Sequence, residues 1–495
     1  MKLFVKRIVC LALAVVLCLG VLSGCNKGGE EGSDVVSILL VGAEMADTPM
    51  MQQKVIDYVK EKTGLTLKYD VVSLSAYDLA VSSGEPYDLI NARNSYNFWG
   101  NAQKGAFMEI TDEDLKEYAP YIWENGQEYL NYTKFQGKRY GIPSFYNRAS
   151  DRCFVARGDL MDKYGITDLD SKENIEKFLD AVKANEPDMI PFDISGGAAY
   201  LNLAMFASDL GWAPIGSLSY AEHVYYDLDD PEHKIFIAAE TPEMLEITET
   251  WKRWNDKGFF SKSVLSNKTQ SVESFKAGRT ALAFVTTREQ CQVLWDELKK
   301  DDRINWDPRF FTRYQKRLQY DTCLAQNISI SAFSKNKANA LRVLDLMYSD
   351  KTLNQMLNYG LEGVHYNLHE DGSYSQTEKF LDVGPIAPEC IVDEYQMQPH
   401  LDFPGYEKIT EKLSKMGEVN PSVSMPTDDS NVREVKVALR DLYNQYTSPR
   451  MYGIFEGTAK EALAREVKAL KEAGIDIYIA DLQKQLDAYY EEISK

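Results

Sequence analysis

The sequence predicts an α/β protein of two or more lobes with a helical C-terminal region, and three observations carry that expectation. Short apolar runs alternate with amphipathic helix patterns through the first hundred residues, the order expected of a parallel sheet with crossover helices. About 460 of the 495 residues lie beyond a glycine-rich segment near the N-terminus, too many for one compact core. Helical patterns over 461–471 and 477–493, broken at Ala473-Gly474, close the chain.

Each element has a local reason. Residues 35–41, VVSILLV, form a nearly continuous apolar run, as in a strand buried on both faces. Thr48-Pro49 opens a helix whose Met51, Val55 and Val59 recur at i, i+4 and i+8, and Gly64 ends it. Residues 65–72 carry the β-branched and aromatic bias of a second strand, and 87–90 form a short third one. Downstream, Asp170 or Ser171 caps a helix with Ile175, Phe178, Leu179 and Val182 on one face. Strands are expected at 281–286 and 328–332, and a helix at 338–348.

The N-terminus has its own logic. Lys2, Lys6 and Arg7 precede a charge-free run over 8–22, the layout of a secretory signal. Fifteen residues fall short of the roughly 20 that a helix needs to cross a membrane. Leu22-Ser23-Gly24-Cys25 follows. Small residues suit a peptidase, and the Cys25 thiol is the one side chain there able to take a thioether-linked lipid. The quartet resembles the lipobox of bacterial lipoproteins. Residues 1–24 are therefore expected to be a lipoprotein signal peptide, and Cys25 the mature, lipidated N-terminus. Residues 25–34, rich in Gly and Glu, then form a flexible, solvated tether. Two or more acyl chains anchor firmly where one does so only marginally, which implies a cell-membrane location on the extracytoplasmic face.

The chain carries 55 basic and 75 acidic residues. The leader holds three of the basic ones and no acid, so the remainder carries 52 against 75, a net charge of −23. Such a surface repels phosphate backbones, which argues against nucleic acid as a partner. Cys153, Cys291, Cys323 and Cys390 are far apart and lack CxxC spacing, so buried free thiols are expected.

Catalytic signatures (GxSxG, HExxH, a Walker loop, GxGxxG) do not occur, and neither an enzyme nor a cofactor is expected. His365 and His369 could hold a metal if helical, but Asp371-Gly372 signals a turn and no third ligand is evident, so no metal is expected. Aromatic residues, by contrast, are abundant: 30 Tyr, 20 Phe and 7 Trp. Ser95-Tyr96-Asn97-Phe98-Trp99 follows the third strand and Ser144-Phe145-Tyr146-Asn147-Arg148 follows Gly141-Ile142-Pro143. In an α/β lobe such loops face the ligand crevice. Rings flanked by Asn and Arg there suit a sugar, packing on C–H faces while polar groups bond hydroxyls. The alternative is that these rings pack beneath their loops as satellite core.

Several segments resemble one family. Gly84-Glu85-Pro86-Tyr87-Asp88-Leu89-Ile90, Lys104-Gly105-Ala106-Phe107 and Gly137-Lys138-Arg139-Tyr140-Gly141-Ile142-Pro143 occur in this order, followed by Phe275-Lys276-Ala277-Gly278 and the segment 331–348. Together they resemble the extracellular solute-binding proteins of carbohydrate ABC importers, the maltose-binding type. Gly360-Leu361-Glu362-Gly363 and Ala473-Gly474-Ile475-Asp476 resemble a subgroup of larger lipoproteins with an uncharacterised C-terminal domain. The resemblance implies a two-lobed periplasmic-binding-protein-like fold with hinge crossovers. Its first lobe would be 35–142 plus about 320–364, and its second 143–319 plus about 365–495, including the C-terminal helices.

The resemblance also implies ligand-binding positions at Glu44, Arg93, Asn94, Tyr96, Trp99, Tyr146, Asn147, Trp212, Arg288 and Tyr366. Where the family often has an aromatic residue, this chain has Thr286-Thr287-Arg288, which implies a ligand of more polarity or charge than a plain maltodextrin. The implied function is capture of a sugar or oligosaccharide by lobe closure, with delivery to ABC permease subunits by a monomer. A ligand-sensing lipoprotein for a receptor kinase and an anchored glycoside-acting enzyme are the alternatives.

Overall fold

The computed structural model describes residues 33–146, 148–149, 153–194, 210–215, 223–285, 287–301, 306–312, 319–321, 323–388, 390–416 and 418–493. The signal segment, most of the tether, Cys25 and Asn147 lie outside the described residues. Two sheets, each with its own core, organise what is described. Their strands in chain order are β1 (Val35–Val41), β2 (Thr66–Val72), β3 (Leu89–Asn91), β4 (Ile142–Pro143), β5 (Cys153–Arg157), β6 (Ile190–Phe192), β7 (Thr280–Val285), β8 (Pro308–Thr312) and β9 (Asn327–Ser329).

The first sheet runs β2-β1-β3-β9-β4. Strands β1, β2 and β3 are parallel as the element order requires, with Ile38 opposite both Tyr69 and Leu89. Strand β9 then extends it, antiparallel to β3 on one side and to β4 on the other. The sheet is therefore mixed, because β9 returns from the second lobe and enters beside β3. In β1, Val36, Ile38 and Leu40 enter one core and Leu39 the opposite one, the alternation of a strand covered on both faces. The helix Thr48–Thr63 lays Met51, Val55 and Val59 on the first of these cores, and Gly64 ends it at φ 77°, where a residue without Cβ is unstrained.

The second sheet runs β8-β5-β7-β6. Strand β7 is parallel to β6 and antiparallel to β5. Leu282 and Phe284 point into one core, Ala283 and Val285 into the other. The Ser171 side chain accepts from Asn174 N at 3.1 Å, so the helix Lys172–Asn185 starts where its cap residue stands. The C-terminal helices Ala459–Glu472 and Ile475–Ile493 join this lobe, with Leu463, Leu470, Tyr478, Leu482 and Leu486 in the same core as Phe178 and Trp254.

Three short strands, Arg148–Ala149, Gln319–Asp321 and Glu418–Val419, pair side by side where the chain passes between the sheets. Packing moves one expected boundary. Ile386, Cys390 and Val392 lie in the first lobe's core with Phe145 and Tyr348, so that lobe continues well past residue 364. The reason is local: the Asn354 side chain donates to the Cys390 carbonyl at 2.9 Å, and Ser144 Oγ accepts from Ile391 N at 3.1 Å. All four described cysteines are free and buried. No helix among the described residues is long and apolar enough to cross a membrane.

Candidate functional site

A cleft of about 970 Å³ lies between the two sheets, with Tyr146 and Gln326 beside the crossover strands. One wall comes from the second lobe. Strand β7 ends at Val285, and Thr287 then caps the helix Arg288–Leu298 by accepting from Gln290 N at 3.3 Å. This turn delivers Arg288 and Glu289 to the cleft, as expected of residues just beyond a strand's carboxyl end. Arg288 Nη1 donates to Thr410 Oγ1 at 3.3 Å. Lower on the same wall, Lys276 stands 2.9 Å from both Glu273 and Glu297. The hydrogen bond it donates to Glu297, then that to Glu273, raises the Lys276 pKa, so the ammonium stays charged and committed to its neighbours.

The opposite wall is aromatic. Tyr359 ends the helix Lys351–Tyr359, and Tyr374 opens the second strand of the hairpin β10 (Tyr366–Leu368) and β11 (Tyr374–Gln376). Their ring centroids are 4.9 Å apart at 68°, an edge-to-face pair. The Tyr359 hydroxyl donates to Gln396 Oε1 at 2.9 Å and accepts from Met397 N at 3.1 Å. Burial raises the Tyr359 pKa, with smaller contributions from Tyr374, Tyr146 and Glu289, so the phenol stays protonated. Met397, Pro399 and His400 continue this wall.

A glycine sets the hairpin in place. Gly360 has φ 80° and ψ −137°, and a Cβ there would lie 2.6 Å from His365 Nδ1. His365 is fully buried. Its Nδ1 accepts from Leu361 N at 2.9 Å, and its Nε2 lies 3.3 Å from Asp47 Oδ2. His369 stacks on His400 with centroids 4.0 Å apart. His365 thus ties the hairpin to the loop after β1, while His369 sits in a ring stack beyond the hairpin turn. The two histidines are not on a helix and do not converge.

The sequence-based site residues divide into groups. Tyr146 and Arg288 line the cleft. Tyr366 stands one layer behind, its ring 6.2 Å from those of both Tyr359 and Tyr374. Glu44 is exposed on the loop after β1 and is not among the cleft-lining residues. Arg93, Asn94 and Tyr96 lie at the turn after β3, with the Arg93 guanidinium 5.4 Å from the Tyr96 ring. Burial lowers the Arg93 pKa. They do not line the cleft either.

Two expectations require correction. Trp99 is 5% exposed, and its indole N–H donates to the Ser424 carbonyl at 3.0 Å. Asn97, at φ 59°, starts a short helix, Phe98–Gln103, that turns Phe98, Trp99 and Ala102 inward together, so the ring is core and an interlobe contact. Trp212 is 6% exposed and packs on Tyr225 and Phe236 with centroids 5.9 and 5.1 Å away. Two further rings that face the cleft, Tyr359 and Tyr374, are not among the residues the sequence singles out. Their only local signal is a Tyr just before a helix-ending glycine and another just after an Asp-Gly turn.

Two lobes, paired crossover strands and a polar-aromatic cleft between them define a two-lobed solute-binding protein. The model of the bacterial extracellular solute-binding protein family matches residues 42–353, and the chain belongs to that family. A second model, a domain of unknown function (DUF3502), matches residues 426–491. A carbohydrate ABC transporter substrate-binding protein of Streptococcus pneumoniae is 26% identical over 367 residues, 72% of this chain and 71% of the relative. The polygalacturonan/rhamnogalacturonan-binding protein YtcQ of Bacillus subtilis is 22% identical over 466 residues, 88% and 91% of the two chains. Among solved structures, the N-glycan transport solute-binding protein of Streptococcus pneumoniae superposes with a TM-score of 0.73. It is 21% identical, with 92% of this chain and 99% of that one covered. An HMO-binding solute-binding protein of Bifidobacterium longum infantis gives 0.68 at 16% identity, covering 93% and 99%.

Proposed function

We propose that this protein captures an oligosaccharide in the interlobe cleft and hands it, chemically unchanged, to the membrane subunits of an ABC permease. The observation that carries the reading is the cleft's make-up: edge-to-face tyrosines on one wall, with carboxylate, guanidinium and hydroxyl groups on the other. Tyrosine faces pack on sugar C–H surfaces, and the polar groups satisfy hydroxyls. Relatives named for carbohydrate, N-glycan and polygalacturonan binding support the same class of ligand.

Ligand held between lobes contacts both walls only when they approach, so its differential affinity shifts the hinge equilibrium. Passing from 1:99 to 99:1 closed takes about 5.5 kcal/mol of such preference. The protein works as a monomer on the extracytoplasmic face, held there by a diacylglyceryl group on Cys25 and reaching out on the tether of residues 25–34. Titration calorimetry across a panel of oligosaccharides tests the binding reading. One-to-one complexes with loss of affinity in Tyr359→Ala and Tyr374→Ala support it. Saccharide recovered in cleaved form, or no complex with any glycan, overturns it.

A further inference from the structure

The cleft's charge pattern bears on which kind of glycan it would hold, a neutral chain or a uronate chain. Its described lining holds five carboxylates against the cations Lys276 and Arg288. Lys276 is already bracketed by Glu273 and Glu297 at 2.9 Å each. Asp371 is engaged by the backbone N–H and hydroxyl of Ser373, at 2.9 and 2.6 Å. The other two carboxylates, Glu289 and Asp393, accept no side-chain hydrogen bond or ion pair from any described residue. Glu289 stands on the second-lobe wall at the start of the helix Arg288–Leu298, and the Tyr359–Tyr374 pair stands on the other wall.

An uncommitted carboxylate is an acceptor only. Sugar hydroxyls donate to it with charge-assisted strength. A ligand carboxylate brought beside it in a desolvating cleft would need a cation of its own, because an unpaired charge is costly to bury. Lys276 is committed to its two glutamates, and Arg288, the other cation of the lining, already donates to Thr410 Oγ1. The whole chain, at −20, also repels polyanions on approach. Resting on the proposed oligosaccharide function, we infer that the cleft selects an uncharged glycan over uronate chains. Glu289 is then the group that reads its hydroxyls opposite the Tyr359–Tyr374 platform.

The test is calorimetry at 150 mM salt on the wild type, Glu289→Gln and Glu289→Ala. The probes are a neutral mannose- or fructose-based oligosaccharide series and an oligogalacturonate series of matched length. Folding of each variant is checked by its melting curve. The wild type should bind a neutral chain at least ten-fold tighter than any oligogalacturonate. Both substitutions should weaken the neutral complex, by about ten-fold for Glu289→Ala, and should narrow the gap to oligogalacturonate. Tighter oligogalacturonate binding by the wild type overturns the inference while leaving glycan capture standing. So does a neutral complex indifferent to both Glu289 substitutions. Failure of both series to bind removes the oligosaccharide function itself, and the inference with it.

Discussion

Replacing Glu466 by Gln should destabilise the second lobe by about 3–5 kcal/mol. Glu466 is 1% exposed on the helix Ala459–Glu472. It accepts from Arg450 Nε at 2.6 Å and Nη2 at 3.3 Å, and from Thr447 Oγ1 at 2.6 Å. His223 Nδ1 lies 3.4 Å away. Arg450 is itself 4% exposed and donates through Nη1 to Thr248 Oγ1 at 3.1 Å, which fastens the C-terminal region to the helix Pro242–Asp256. Glutamine keeps the shape and removes the charge, leaving a buried guanidinium without its counter-ion. That is the situation in which breaking a pair costs most. Burial alone would push the Glu466 carboxyl up, but the charges of Arg450 and His223 and their hydrogen bonds hold it well below the usual range. A depressed folded pKa means stability present above the unfolded value and lost as pH falls, so Glu466→Gln should also flatten the acid limb.

Urea unfolding followed by tryptophan fluorescence is the assay, with Trp251 and Trp254 on the neighbouring helix as reporters. The double variant Arg450→Met/Glu466→Leu should recover most of the loss, because an apolar replacement of both partners removes the desolvation cost. A loss under about 1 kcal/mol, or a double variant no better than Glu466→Gln alone, would show that the buried Arg450–Glu466 pair does not carry this stability.

Three further outcomes follow from the same physics. Gly360→Ala places a Cβ 2.6 Å from His365 Nδ1 in a backbone region open only to glycine. It should cost about 1–3 kcal/mol and speed hydrogen exchange in the hairpin of residues 366–376. Trp99→Phe leaves the buried Ser424 carbonyl without its donor and should cost about 1–3 kcal/mol in urea titration. The Glu176 carboxyl, held down to about 2 by its hydrogen bond from Arg253 and then those from Lys257 and Trp254, contributes stability above the ordinary glutamate pKa. That contribution is lost as pH falls toward 2. Glu176→Gln should remove this pH dependence from the melting temperature between about pH 5 and 2.

What could be read from sequence follows the range of the interactions involved. Strand β1 and the helix Thr48–Thr63 declare themselves because their signals, an unbroken apolar run and a stripe at i, i+4, i+8, lie within a few turns of chain. Ser171 and Gly64 mark helix ends by local chemistry in the same way. The antiparallel entry of β9 beside β3 depends on a partner more than 200 residues away, and no local pattern records it. Trp99 illustrates the site's difficulty. A ring in a polar stretch after a strand reads as a ligand platform, yet a left-handed Asn97 begins a helix that turns it into the core. Tyr359 and Tyr374 gain their place only once Gly360 and His365 fold the hairpin back on the helix end. Arg288 and Tyr146 were legible because they follow a strand and a crossover directly, where the crevice of an α/β lobe must lie.

Capture by lobe closure is tested most directly by small-angle scattering of the protein with and without a neutral oligosaccharide, paired with calorimetry on the same samples. A one-to-one complex and a smaller radius of gyration are expected as the walls bearing Glu289 and Tyr359 come together. A tight complex that leaves the scattering profile unchanged would contradict closure, and no complex with any saccharide would contradict the cleft as a glycan site.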